Sequence, residues 1–240
     1  MTDVLHDLVL HRRQNQVWQF SGIDCREHCV DLKHFLNYPH PIEYRYNNRG
    51  FRDSDWPTSI DELKQAVWCV GDSFTVGIGI PLNHTWPFIL AQRLGKRTIN
   101  ISLDGASNDW IARRITDIKR EIDPGWFVVQ WTFVERRENP DTSLSDEDRR
   151  NQSIQYTELE NIANLQLCVE SVDAANVIHS TIPHFSGYQA SQKLALKTFV
   201  KKGHAIPYFD TEDYGRDGLH YDLRTANKFV DQIINFLPGK

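Results

Sequence analysis

Apolar positions along the chain alternate between two rhythms. Short, nearly continuous apolar runs fall at 66–70 (Ala66 to Val70), 98–103, 126–132, 176–182 and 204–209, bounded by glycine, proline or polar turn residues. Such runs read as strands buried on both faces, as in a parallel sheet. The run at 126–132 is the most β-prone and is expected at the sheet's centre. Between the runs lie segments with helical spacing. Residues 85–94 carry Trp86, Phe88, Ile89, Leu90 and Leu94, with Pro87 in the first turn, and 109–122 carry Trp110, Ile111, Ile115 and Ile118 before the stop at Asp123, Pro124 and Gly125. Residues 154–172 (Ile154, Leu159, Ile162, Leu165, Leu167, Val169), 191–202 and 224–237 (Ala226, Phe229, Val230, Ile233, Ile234, Leu237) complete the set. Strand and helix alternate, which predicts an α/β fold with right-handed crossovers.

Residues 1–44 break that rhythm. Short apolar clusters (Val4, Leu5, Leu8, Val9, Leu10, then Val17, Trp18, Phe20) sit among His, Arg, Gln and Asn, and predict a short helix and a hairpin that end at Tyr38, Pro39, His40 and Pro41. The chain therefore divides into an N-terminal extension, 1–60, packed on an α/β domain, 61–240.

With 240 residues and a formal charge of −5, acids and bases interspersed, the chain has no basic stripe of the kind nucleic-acid binding needs. It has no apolar run of membrane-spanning length, and Met1 to Asp7 lack the basic-then-apolar pattern of a secretory signal. A cytoplasmic location and reduced thiols at Cys25, Cys29, Cys69 and Cys168 follow as expectations. Cys25, His28 and Cys29 have no second pair at ligand spacing, so no metal is expected, and no motif calls for a cofactor.

The candidate chemistry begins where the first strand ends. Gly71, Asp72 and Ser73 place a serine hydroxyl at a strand's carboxyl edge, where open α/β sheets bind ligands. A serine there commonly serves as a helix cap. Asp217 and His220, three apart on one turn, change the balance, because a nucleophilic serine needs a base and the base needs an orienting carboxylate. Asp104 to Asn108 reach the same edge after the next strand. The polar stretch 135–150 follows the central strand and is either a lid or substrate-selecting loop, or a solvated one.

Gly71-Asp72-Ser73-Phe74, the glycine at Gly105 and the late Asp217-x-x-His220, in that order and spacing, resemble the SGNH (GDSL-like) hydrolase superfamily over roughly residues 45–238. The resemblance implies a flavodoxin-like three-layer α/β/α sandwich around a five-stranded parallel sheet. It also implies a serine-dependent acyl hydrolase with Ser73 as nucleophile, His220 as base and Asp217 as its orienting partner. The implied oxyanion donors are the backbone N–H groups of Ser73 and Gly105 and an asparagine side chain after the next strand. Where Gly-x-Asn would fall, the chain reads Gln130, Trp131 and Thr132. Thr132 is the favoured substitute, and Asn108 the second, its other use being to cap the helix expected from Asp109. Asp72, Arg136 and His184 are candidate substrate contacts, and His179 a hydrogen-bonded core residue.

Asn47, Asn48, Arg49, Gly50, Phe51 and Arg52 resemble an Asn-x-x-Gly-Phe-Arg segment found in superfamily members linked to polysaccharide acyl groups. Arg49 or Arg52 would reach the site or, more readily, form surface ion pairs. The resemblance implies a serine esterase acting on short acyl, for instance O-acetyl, esters of carbohydrates or similar small molecules. An O-acyltransferase using the same triad is a close variant. A non-catalytic binding or structural module, virion-associated if phage-encoded, is the competing class.

Overall fold

The structure, a computed structural model, describes residues 8–150, 156–183, 196–206 and 210–237. Expectations that fall on Val4, Leu5, Ile154, His184, 191–195 and 207–209 lie outside the described residues. β1 (Val17–Trp18) pairs antiparallel with β2 (Tyr44–Arg45), and α1 (Leu32–Asn37), capped by Asp31, lies between them in sequence; the short helix is as expected, whereas the two strands are joined through α1 and not by the turn of a hairpin. The remaining elements follow in chain order: α2 (Ile60–Gln65), β3 (Val67–Gly71), α3 (Ser73–Val76), α4 (Trp86–Leu94), β4 (Thr98–Ser102), α5 (Asn108–Glu121), β5 (Trp126–Trp131), α6 (Asp146–Arg149), α7 (Glu158–Val172), β6 (Val177–Thr181) and β7 (His204–Ile206). A C-terminal helix, Leu223–Ile234, closes the fold.

β3 to β7 form one parallel sheet in the order β4-β3-β5-β6-β7, with β5 at its centre as expected. Side chains alternate along each strand, so each face has its own core. Trp68, Val70, Phe127 and Val129 pack with Ile111, Ile115 and Ile118 of α5 and Leu165 and Val169 of α7. Val67, Cys69, Val128 and Ile178 pack on the other face with Trp86 and Leu90 of α4 and with Phe229, Val230 and Ile233 of the C-terminal helix. Leu8, Leu10, Phe51 and Trp56 join the first of these cores, so the described residues ahead of α2 share the domain's interior.

Two details differ from the sequence reading. In α7 the buried stripe is Asn161, Leu165, Cys168, Val169 and Val172, whereas Leu159 and Leu167 fall off that stripe and are exposed. α5 begins at Asn108, and Ser107 Oγ caps it by accepting the Trp110 N–H at 3.1 Å, so Asn108 is not the cap.

Candidate active site

The serine turn is built by close contacts. β3 ends at Gly71, where a Cβ would collide with the Thr75 side chain and come within 3.1 Å of Gln130 O. Asp72 follows, fully buried, and its Oδ1 accepts the Phe74 N–H at 3.0 Å, which fixes the first turn of α3. Ser73 opens that helix at the carboxyl edge of β3, 4% exposed. Behind it, Arg52 is completely enclosed and is not the surface ion-pair residue expected. Its guanidinium lies over the Tyr44 ring and donates to the carbonyls of Gly77, Val76 (3.3 Å), Ile80 (2.9 Å) and Glu43 (3.2 Å). Val76, Gly77 and Ile80 belong to the end of α3 and the turn after it, while Glu43 precedes β2, so Arg52 ties the Ser73 turn to the strand pair ahead of the domain. Arg49 instead lies over Trp56, 4.9 Å from its ring centroid.

Asp217 and His220 form a closed pair. Asp217 Oδ1 accepts the N–H groups of Leu219 (2.8 Å) and His220 (3.0 Å), and Oδ2 meets His220 Nδ1 at 2.6 Å. With Nδ1–H donated to Asp217, the lone pair of His220 lies on Nε2, and that buried atom has no hydrogen-bond partner among the described residues. The ring packs on Phe74, centroids 4.4 Å apart, so the imidazole stands against the residue that follows Ser73. Burial alone opposes an imidazolium here. The charge of Asp217 and its hydrogen bond outweigh burial and hold the His220 pKa above the ordinary histidine value.

Residues far ahead in the chain brace this turn, a feature the sequence did not signal. Val30 N–H donates to Asp217 O at 2.8 Å. Arg216 Nε and Nη2 grip Asp24 Oδ1 and Oδ2 at 2.8 and 2.7 Å, and the guanidinium lies beside the stacked Phe20 and Phe35 rings, 5.3 and 5.0 Å from their centroids. Asp24 also accepts the Tyr44 hydroxyl at 2.5 Å, and that hydroxyl accepts the Gly79 N–H at 2.8 Å.

The expected oxyanion donors fare differently. Gly105, at φ +74°, follows β4, with the Arg150 side chain lying over its Cα side. Thr132 directs its only hydroxyl proton to Asp72 Oδ2 at 2.5 Å, which leaves none for an oxyanion in this arrangement. Asn108 is also engaged: its Oδ1 accepts the Thr132 N–H and its Nδ2 donates to Phe133 O, both at 3.1 Å. Arg136 reaches the same place, with Nη1 2.9 Å from Asp72 Oδ2 and 3.0 Å from Thr132 Oγ1. Asp72 is therefore an enclosed hub joining the serine turn to the end of β5, and no part of it is exposed to a substrate.

Beside Gly105 lies a polar cleft of about 330 Å³ lined by Asp104, Gly105, Glu147, Asp148 and Arg150. Glu147, Asp148 and Arg150, from the stretch after β5, form one wall of this cleft. That wall is pinned from the N-terminal side by Arg12 on Asp148 (2.8 Å) and Arg13 on Glu147 (3.7 Å).

No family model and no curated protein matches the chain. Among solved structures it is similar to TesA, with a TM-score of 0.53 and 17% identity over 72% of this chain and 98% of that one. It is similar to a family 2 carbohydrate esterase with a carbohydrate binding domain from Corynascus thermopiles (Myceliophthora fergusii), with a TM-score of 0.50 and 13% identity over 78% of this chain and 69% of that one. A family two carbohydrate esterase from Clostridium thermocellum, in complex with cellohexaose, gives a TM-score of 0.50 and 13% identity over 77% of this chain and 67% of that one. At such identities the likeness speaks for the fold alone, a parallel α/β architecture shared with these proteins.

Proposed function

We propose that the protein is a carboxylic ester hydrolase working through Ser73, His220 and Asp217. The observation that carries this reading is the buried Asp217–His220 pair, whose Nε2 is free of described protein partners and whose ring lies against the residue after Ser73. In the proposed reaction Nε2 accepts the Ser73 proton as Oγ bonds to the ester carbon, and the carbonyl electron pair moves onto oxygen. The Ser73 and Gly105 N–H groups are the proposed backbone donors to that oxyanion. Collapse expels the alcohol, which takes its proton from the imidazolium that Asp217 stabilises. Water then attacks the acyl-serine by the same route in reverse.

The substrate reading is a short acyl ester of a carbohydrate or a similar hydroxyl-rich small molecule. The cleft beside Gly105 supports it, because its carboxylates and guanidinium match hydroxyl groups better than an alkyl chain. Fold similarity to carbohydrate esterases points the same way. A non-catalytic binding module is the second reading, favoured by the engagement of Thr132 with Asp72.

Fluorophosphonate labelling separates the two. The enzyme reading expects label on the wild type and none on Ser73→Ala, together with release of acetate from acetylated sugars. An unlabelled wild type that also releases no acetate would leave the binding module as the better account.

A further inference from the structure

We propose that Arg136 is a catalytic residue: its guanidinium supplies a charged hydrogen bond to the oxyanion that forms at Ser73. This rests on the ester-hydrolase reading above and adds a residue to it.

The neutral groups at the end of β5 are already engaged. Thr132 gives its hydroxyl proton to Asp72 and its N–H to Asn108, while Asn108 gives its amide to Phe133 O. Arg136 stands 3.0 Å beyond the short Thr132 side chain and bonds at 2.9 Å to the carboxylate of the residue directly before the nucleophile. The other oxygen of that carboxylate caps the turn that begins with Ser73. A single carboxylate therefore ties the guanidinium to the serine turn. The Phe133 ring, 4.7 Å from the guanidinium carbon, backs it on another side.

Only Nη1 makes these bonds. Nη2 and Nε donate to no described protein group, and the side chain is 22% exposed, so N–H donors remain at the accessible side of the cluster. In the ground state Asp72 and Arg136 neutralise each other. When the carbonyl electron pair moves onto oxygen, the new negative charge has a fixed cation nearby in partly water-excluded surroundings. A charged donor there is stronger than the neutral hydroxyl or amide it replaces. The step changes no atom balance: Ser73 Oγ bonds to carbon, its proton goes to His220, and Arg136 keeps all its protons.

The test is steady-state hydrolysis of p-nitrophenyl acetate by the full chain. Arg136→Ala is expected to lower kcat about 10²-fold with KM little changed, and millimolar guanidinium ion is expected to restore part of the loss. The rate of covalent labelling by a fluorophosphonate is expected to fall in parallel. If Arg136→Ala does not fold, judged by circular dichroism, Arg136→Gln carries the same comparison, because its amide still reaches toward Asp72. An active wild type whose Arg136 variants keep wild-type kcat overturns the proposal and leaves the hydrolase reading intact. Recovery of kcat on adding Asp72→Asn to Arg136→Ala also overturns it, since the arginine would then act only by neutralising Asp72. A wild type inert to both ester and label overturns both readings.

Discussion

His179, in the middle of β6, and His220, in the turn before the C-terminal helix, are each enclosed and each face an aspartate, yet different partners orient their rings. Trp131 donates its indole N–H to His179 Nδ1 at 3.2 Å, which leaves the proton on Nε2. That nitrogen is 3.4 Å from Asp173 Oδ1 without making a hydrogen bond. Asp173 is occupied elsewhere, accepting the N–H groups of Lys201, Lys202 and Gly203 at 2.7, 2.8 and 2.7 Å. Burial therefore prevails, and the His179 pKa is pushed down to about 4. Among the described residues Asp217 gives Oδ2 to His220 alone, and there the carboxylate prevails over burial. A nearby acid makes a histidine basic only when its oxygen is available and aligned. His179 is thus a neutral packing element, and His220 carries a base's lone pair.

Deleting each ring breaks the comparison most strongly. His220→Ala, like Ser73→Ala, is expected to lower ester hydrolysis by about 10³-fold or more. His179→Ala is expected to leave kcat near wild type but to cost about 2–4 kcal/mol of stability, read by urea unfolding, because it opens a cavity and orphans the Trp131 N–H. Exchanging each acid for its amide is next: Asp217→Asn is expected to lower kcat about 10²- to 10⁴-fold by losing the tautomer. Asp173→Asn is expected to cost only about 1–2 kcal/mol in urea with kcat kept.

Acidity sharpens the contrast further. The proposed reaction requires neutral His220, so kcat/KM is expected to rise with pH through a midpoint above 6.5, measured as a rate profile. For stability the signs oppose. The raised pKa of His220 stabilises the fold below pH 6.5 and loses that effect as pH rises through the folded value. The lowered pKa of His179 makes the fold lose stability as pH falls from 6.5 toward about 4. That loss is on the order of 3 kcal/mol and should vanish from urea titrations of His179→Leu. The smallest effect is expected from Trp131→Phe, about 1 kcal/mol, with activity unchanged.

The sheet was legible because strands buried on both faces must be apolar throughout, and each run of the sequence lands on its strand with ends shifted by a residue or so where both are described. Asp217 and His220 were legible for a local reason: a spacing of three on one turn is a contact written in the sequence. Thr132 was not, because whether its hydroxyl is free depends on Asp72, sixty positions away. Asn108 lost the capping role to its neighbour Ser107, an equally good cap that periodicity cannot distinguish from it. Arg52 looked like a surface charge because no pattern foretells a cluster of carbonyls gathered from distant turns.

The contact between Arg216 and Asp24 carries a consequence for how such chains diverge. The salt link, the adjacent Phe20 and Phe35 rings, and the backbone bond from Val30 to Asp217 make a girdle that ties the early segment to the histidine-bearing turn. Neither stretch can drift alone, since a change at Asp24 would strand a cation one residue from the carboxylate that orients His220. Homologous sequences that replace Arg216 should therefore replace Asp24 and its aromatic companions in concert, as one inherited unit split across nearly the whole length of the polypeptide.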